Sequence, residues 1–196
     1  MNTNLQTINL IIASSNIGKV NEFKKLLYPY SFKVMAQPLD FKVDENGSDF
    51  KENARIKALA VSRETGFLSL ADDSGLMVKA LGGAPGVHSA RYAKSDKERI
   101  NRLLKEMEEE DERNASFIAA LCVVSTDGKI LIEVQGECKG LITRYPRGNN
   151  GFGYDPIFEV EGIKKTFAEL DSKTKQIYGH RGQAFSLLRP FLDNYV

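Results

Sequence analysis

Cysteine and histidine are scarce in this chain, with two residues of each. Cys122 and Cys138 fall in strand-like apolar runs and in no close-spaced ligand pattern. A disulfide framework or a zinc site is therefore not indicated, and the pair reads as reduced core thiols. His88 and His180 are too few for a multi-histidine metal centre. Neither sign of charge is in excess: 27 Lys and Arg stand against 26 Asp and Glu, a net +1. That balance lacks the basic excess of a nucleic-acid module, so no nucleic-acid partner is expected. No apolar run approaches the roughly 20 residues of a membrane-spanning helix. No basic region followed by a signal-type apolar core appears at the N-terminus, so the expectation is a cytoplasmic protein with no membrane partner. There is no internal repeat. The GxxxxGK[ST] spacing of a Walker loop is also missing.

What is present is an ordinary globular composition, 42% hydrophobic and 27% charged over 196 residues. It predicts a single domain over residues 1–196, or one domain with two lobes around a cleft. Ile8 to Ala13 reads as a buried first strand. A polar loop, Ser14-Ser15-Asn16-Ile17-Gly18-Lys19, follows it, and Val20, Phe23, Leu26 and Leu27 then form a helical stripe. Strand, polar loop and helix is an arrangement that cradles phosphates, because loop amides and a helix N-terminus attract anions. Phe32 to Ala36 reads as a second strand. A helix from Asp49 to about Thr65 is predicted with Ser48 as its cap, and Gly66 ends it. Asn53 and Lys57, four residues apart, share one face of it, which is either solvated or, where it lines a cleft, able to bring both to one anion.

The run Phe67 to Ala71 predicts a short buried strand ending at Asp72-Asp73-Ser74-Gly75. Two readings stay open there. The four residues are good turn chemistry. They also suit a magnesium site beside a phosphate, in which strand alternation lets only one aspartate face a given cleft. Ser95 caps a further predicted helix whose buried stripe is Ile100, Leu103, Leu104 and Met107. Two β-rich runs joined by Thr126-Asp127-Gly128 predict a hairpin at one edge of a mixed sheet. Residues 145–158, glycine-rich and aromatic, read as a loop in which Phe152, flanked by glycines, is suited to stacking on a base. Lys175, His180 and Arg181 precede a closing helix with Ala184, Leu187, Leu188, Phe191 and Leu192 as its buried side. They point to an anionic or hydrogen-bond-accepting partner.

In this order, ASSNIGKVNEF, FKENARIKA, ADDSGLMVKALGGAPGVHSARYA, GFGYDPIF, TFAEL and GHRGQA resemble the inosine triphosphate pyrophosphatase family, the non-canonical purine nucleoside triphosphate pyrophosphatases. The resemblance implies an α/β fold, elongated and two-lobed, with a long central mixed sheet flanked by helices and a deep substrate cleft. It implies a homodimer that hydrolyses ITP, dITP and XTP to the monophosphate and pyrophosphate with Mg2+, cleansing the nucleotide pool of deaminated purines.

Carried over by motif, Ser14, Ser15, Asn16, Ile17, Gly18 and Lys19 correspond to the triphosphate loop, and Asn53 and Lys57 to further phosphate-side positions. Asp73 corresponds to the catalytic base and a metal ligand, with Asp72 in support, and Asp44 to a second metal carboxylate. Ser74 corresponds to a substrate contact. Phe152, Gly153, Tyr154 and Asp155 correspond to the nucleoside loop, and Lys175, His180 and Arg181 to the base-recognition end. Three departures stand out. The family usually has threonine in the first loop where this chain has serine. It has glutamate where Asp44 stands, so Asp44 acts through water or Glu45 substitutes. It has serine where Gly179 stands, and glycine there removes a possible cap and loosens the base pocket.

Overall fold

The computed structural model describes residues 7–195. In chain order the elements are β1 (Ile8–Ala13), α1 (Ile17–Leu27), β2 (Phe32–Ala36), α2 (Phe50–Thr65), β3 (Leu68–Val78), α3 (Asp96–Glu106), β4 (Asn114–Val124), β5 (Ile130–Ile142), β6 (Phe158–Val160), α4 (Ser172–Tyr178) and α5 (His180–Tyr195). The six strands form one mixed sheet in the order β2-β1-β3-β4-β5-β6. β1 runs parallel to β2 and to β3, with Ile12 opposite Ala36 on one side and Leu70 on the other. Parallel neighbours need crossovers, and α1 and α2 supply them. β5 and β6 are antiparallel, with Gly140 opposite Val160.

Four expectations are corrected. β3 does not stop before the acidic pair. It continues through Asp72, Asp73, Ser74 and Gly75 to Val78, which removes the turn reading. The cap of α2 is Asp49, whose carboxylate accepts from the Glu52 amide at 2.8 Å; Ser48 instead donates through both N and Oγ to the Glu52 carboxylate. The β4–β5 hairpin is not at the sheet edge, because β6 lies outside it. On α5 the buried side is Ala184, Phe185, Leu188 and Leu192, whereas Leu187 is 54% exposed. The helical stripe there is rotated by one residue from the pattern predicted.

The chain divides into two compact units. The first holds the chain through Asp73, Ala120–Gln135 and the segment from Ala184; the second holds Ser74–Ala119 and Gly136–Gln183. In the first, the burial of Leu10, Ile12, Phe23, Leu27, Ala54, Ala58, Val61 and Leu70 seats α1 and α2 on the parallel strands. In the second, Leu76, Val78, Leu103, Met107, Phe117, Phe158 and Phe167 form one apolar cluster. Phe117 and Phe158 meet edge to face at 4.8 Å between ring centroids, a geometry the ring quadrupoles favour. Among the described residues no helix is long and apolar enough to cross a membrane.

The rotated stripe on α5 is checked by two neighbouring substitutions followed by denaturant unfolding. Leu188→Ala removes a fully buried side chain and is expected to cost about 2–5 kcal/mol. Leu187→Ala should stay within about 0.5 kcal/mol of the wild type. The reverse ranking would restore the sequence-based register.

Candidate active site

In the first unit the polar loop after β1 is built as a helix entry. Asn16 caps α1, its side chain accepting from the Lys19 amide at 3.2 Å, and Ser14 Oγ accepts from the Asn16 amide at 3.1 Å. Ser15, Asn16 and Ile17 are exposed. The first-turn amides of such a helix are anion-binding groups.

Two carboxylates in succession on β3 are both buried, Asp72 at 0% and Asp73 at 6% exposure. Alternation along the strand gives each its own lysine. Lys19 Nζ lies 2.8 Å from Asp72 Oδ2 and 3.5 Å from the Asp72 carbonyl oxygen. Lys57 Nζ, reaching from α2, lies 2.7 Å from Asp73 Oδ1 and 3.2 Å from Glu45 Oε2. Asn53 completes the cluster. It donates from Nδ2 to Asp73 Oδ2 at 3.4 Å and accepts the Gly47 amide at 2.8 Å. Without these partners two buried charges on one strand would be prohibitive. Burial raises the Asp73 carboxyl to about 6, against the opposing pull of Lys57 and Lys19. Burial also works to raise Glu45, but the charge of Lys57 prevails and carries it below the usual range. For Lys57 the burial penalty is outweighed by Asp73 and Glu45, and its ammonium is held charged.

The second unit carries a separate cluster. Gly151, Gly148 and Gly153 have positive φ, so the loop before β6 takes a path that other residues resist. Asp155 ties it down: its Oδ2 accepts from the Phe152 amide at 2.9 Å and from Lys175 Nζ at 2.6 Å. A Cβ at Gly151 would run into that carboxylate. The Phe152 ring has Lys175 Nζ 5.1 Å and Arg181 Cζ 5.5 Å from its centroid. Arg181 Nη2 donates to Ser74 Oγ at 2.7 Å. The structure therefore joins Ser74, Phe152, Asp155, Lys175 and Arg181, which lie far apart in the chain.

The sequence and the α/β fold both match a known family. The chain matches the Ham1 family over residues 10–191. It belongs to the Ham1 family. A relative from Prochlorococcus marinus (strain NATL1A), named dITP/XTP pyrophosphatase, is 57% identical over 98% of this chain and 97% of its own. Another of that name, from Gloeobacter violaceus, is 53% identical over 89% of each chain. Among solved structures, a HAM1 protein from Coxiella burnetii superposes with a TM-score of 0.85 at 40% identity, covering 95% of this chain and 99% of its own. A nucleoside-triphosphatase / dITP/XTP pyrophosphatase from Mycobacterium abscessus gives 0.74 at 37% identity, covering 93% and 100%.

Within this Ham1 chain the candidates from sequence do not all stand at the clusters. Asp44 is exposed, and its neighbour Glu45 makes the contact with Lys57. The alternation of an extended loop turns one of the two toward β3, a choice the sequence left open. Tyr154 is 4% exposed and donates its hydroxyl to the Ser89 carbonyl at 3.0 Å, so it anchors the loop. His180, 3% exposed, stacks on Phe117 at 4.7 Å and 12° between planes. Gly153 presents its amide to Asp96 Oδ2 at 2.8 Å. The departure at Gly179 also acquires a physical reading. Its carbonyl accepts the Gln183 amide at the start of α5, its amide donates to Lys175 O at 2.8 Å, and a Cβ would lie 2.5 Å from that oxygen. Glycine tightens this corner rather than loosening it.

Among the described residues no group of three or more His, Cys, Asp or Glu side chains is arranged to hold a metal ion. Asp73 and Glu45, which converge on one ammonium, are the carboxylate pair available. That pair fits magnesium, which uses one or two protein carboxylates and completes its shell with water and phosphate.

A carboxyl whose folded pKa lies above its ordinary 3.8 contributes stability at low pH and loses it as pH rises through the folded value. Ionised Asp73 is thus a liability to the metal-free fold at neutral pH. In chelator, raising the pH from 4 to 7.5 is expected to cost the wild type about 1–3 kcal/mol more stability than it costs Asp73→Asn, which lacks this titration. The difference between the two proteins should level off below about pH 4 and grow as pH rises through 6, as measured by denaturant unfolding. The same dependence on pH in both proteins would overturn this assignment.

Proposed function

We propose that the protein hydrolyses deaminated purine nucleoside triphosphates, dITP, XTP and ITP, to the monophosphate and pyrophosphate, with Mg2+ as the metal. The observation that carries the reading is Asp73. It is a buried carboxylate held between Lys57 and Asn53 and followed directly by Ser74, in a chain whose relatives bear the name dITP/XTP pyrophosphatase. One family match crosses both units, which supports reading residues 1–196 as a single functional domain. A homodimer and a cytoplasmic setting are proposed from the family resemblance.

The first unit's cluster takes the phosphate chemistry. The Ser14-to-Lys19 loop offers amides and an ammonium to the triphosphate. Asp73 and Glu45 would hold the magnesium, which supplies charge neutralisation of the phosphates when bound with them. Asp73 orients a water and takes its proton as the water oxygen bonds to the α-phosphorus. The bond from that phosphorus to the bridging oxygen breaks, and pyrophosphate leaves. Lys19 and Lys57 stabilise the charge that grows on the leaving oxygens. An Asp73 carboxyl near 6 is a better proton acceptor than an ordinary aspartate and still ionised near neutrality.

The second unit's cluster takes the base. Phe152 supplies a stacking face, and Arg181 and Lys175 supply donors. Inosine and xanthine present an acceptor at O6. Adenine presents an amine there, which would leave those donors facing another donor. His180 and Tyr154 are assigned to holding this end in place, in line with their burial.

Pyrophosphate release from a panel of nucleoside triphosphates with Mg2+ tests the reading. dITP, XTP and ITP should exceed ATP and GTP by at least tenfold in kcat/KM. Release of orthophosphate in successive steps would sink the proposed reaction. Asp73→Asn should lower kcat by about 10²-fold or more, and a rate near wild type would remove Asp73 from the chemistry. Phe152→Ala should raise KM by about 5- to 100-fold with kcat largely kept, the worth of one stacked base. An unchanged KM argues against stacking.

A further inference from the structure

We propose that Lys57 is the resident counter-cation of Glu45 and Asp73, and that it keeps a divalent ion from that pair until a triphosphate draws its ammonium away. The inference rests on the reading of those two carboxylates as the metal's ligands. One ammonium serves both, at 2.7 Å from Asp73 Oδ1 and 3.2 Å from Glu45 Oε2. Its side chain is 9% exposed. At that depth the charge cannot be left without an anion, so Lys57 gives up one anionic partner only for another.

The surroundings fix the arrangement. Asn53, one turn before Lys57 on α2, holds Asp73 Oδ2 with its amide nitrogen and the Gly47 amide with its oxygen. α2, β3 and the loop carrying Glu45 are thereby held together, and the carboxylate oxygens meet at Lys57 Nζ. A divalent ion arriving alone would have to share those oxygens with a positive charge a few ångströms away, in a poorly screened interior. A triphosphate brings the anion that Lys57 needs. The lysine then exchanges carboxylate for phosphate oxygen, and Glu45 and Asp73 become available to the ion. Lys57 thus has two successive partners, and metal affinity is coupled to nucleotide binding with a reciprocal effect.

The test uses the metal alone. Mn2+ is titrated into metal-free wild type and Lys57→Met, and free Mn2+ is read from its paramagnetic resonance signal, with thermal melting in parallel. Lys57→Met is expected to bind Mn2+ at least tenfold more tightly than the wild type. Its melting temperature should be low in chelator and rise by several degrees with Mn2+, while the wild type's barely moves. Adding Glu45→Gln to Lys57→Met should return binding to the wild-type level. Equal Mn2+ affinity in wild type and Lys57→Met overturns the proposal, as does tight binding by the wild type without nucleotide. If Lys57→Met does not fold in chelator, recovery of the fold on adding Mn2+ supports the proposal. In that case Lys57→Gln, which keeps a polar end, supplies the affinity comparison. Pyrophosphate release by the wild type with Mg2+ is read separately: its absence would sink the underlying metal site, whereas release with equal affinities sinks only the role given to Lys57.

Discussion

Two carboxylates at consecutive positions of a buried strand are the constraint on which the first unit depends. Strand geometry sends Asp72 and Asp73 to opposite faces, so no single cation can serve both. Two lysines from two different helices are required, Lys19 at the entry of α1 and Lys57 in the middle of α2. That requirement fixes what lies around β3. α1 must begin right after β1 so that Lys19 reaches Asp72. α2 must present Asn53 and Lys57 on one face, four residues apart, so that both reach Asp73. The loop after β1 and the acidic pair are therefore parts of one electrostatic arrangement.

Much of this was legible in the chain. The periodicities of α1, α2 and α3 put Val20, Phe23, Ala54, Ala58, Val61, Ile100 and Leu103 inside, and all are buried. The Gly66 stop is a left-handed cap with φ of 69°. What local pattern could not show was anything decided by tertiary partners. Asp-Asp-Ser-Gly has turn chemistry, and it is a strand because each aspartate has a lysine contributed by a remote element. Asp44 and Glu45 are both acidic and adjacent, and only the position of Lys57 on α2 selects Glu45. His180 reads as a polar ligand in sequence. Its ring is instead packed on Phe117, because aromatic partners from β4 and the Phe167 segment surround the start of α5. On α5 Phe185 is buried and Leu187 exposed, and Phe185 meets Tyr30 edge to face, a partner no local pattern shows. Polar residues in apolar settings are where sequence reasoning fails, since their partners come from elsewhere in the chain.

Gly179 illustrates the opposite case, in which a missing side chain is informative only in three dimensions. As a sequence departure it suggests a lost cap. In the fold, the end of α4 and the start of α5 approach so closely that Gly179 and Gly182 would each place a Cβ against a carbonyl oxygen of α4, from Lys175 and Gln176. The corner sets the spacing between Lys175 and Arg181, the two cations beside Phe152. The geometry of the proposed base end thus follows from backbone contact, a firmer constraint than a hydroxyl cap exposed to water.

The charge on the two clusters supports assigning them different parts of the substrate. In the first unit two lysines, Lys19 and Lys57, stand against three carboxylates, Glu45, Asp72 and Asp73, a sum of −1. A triphosphate of about four negative charges would be repelled by that sum unless a divalent cation accompanied it. In the second unit Lys175 and Arg181 stand against Asp155, a sum of +1. That excess is modest, suited to carbonyl acceptors on a base and weak for a polyphosphate. Anion-binding loops generally show a local positive excess, yet here the strongest candidate phosphate loop adjoins a net negative cluster. The proposed function resolves this if the species that suits the cluster is the metal–nucleotide complex. On the role proposed for Lys57, phosphate would take its ammonium and the cation the carboxylates it leaves, so neither suits the cluster alone.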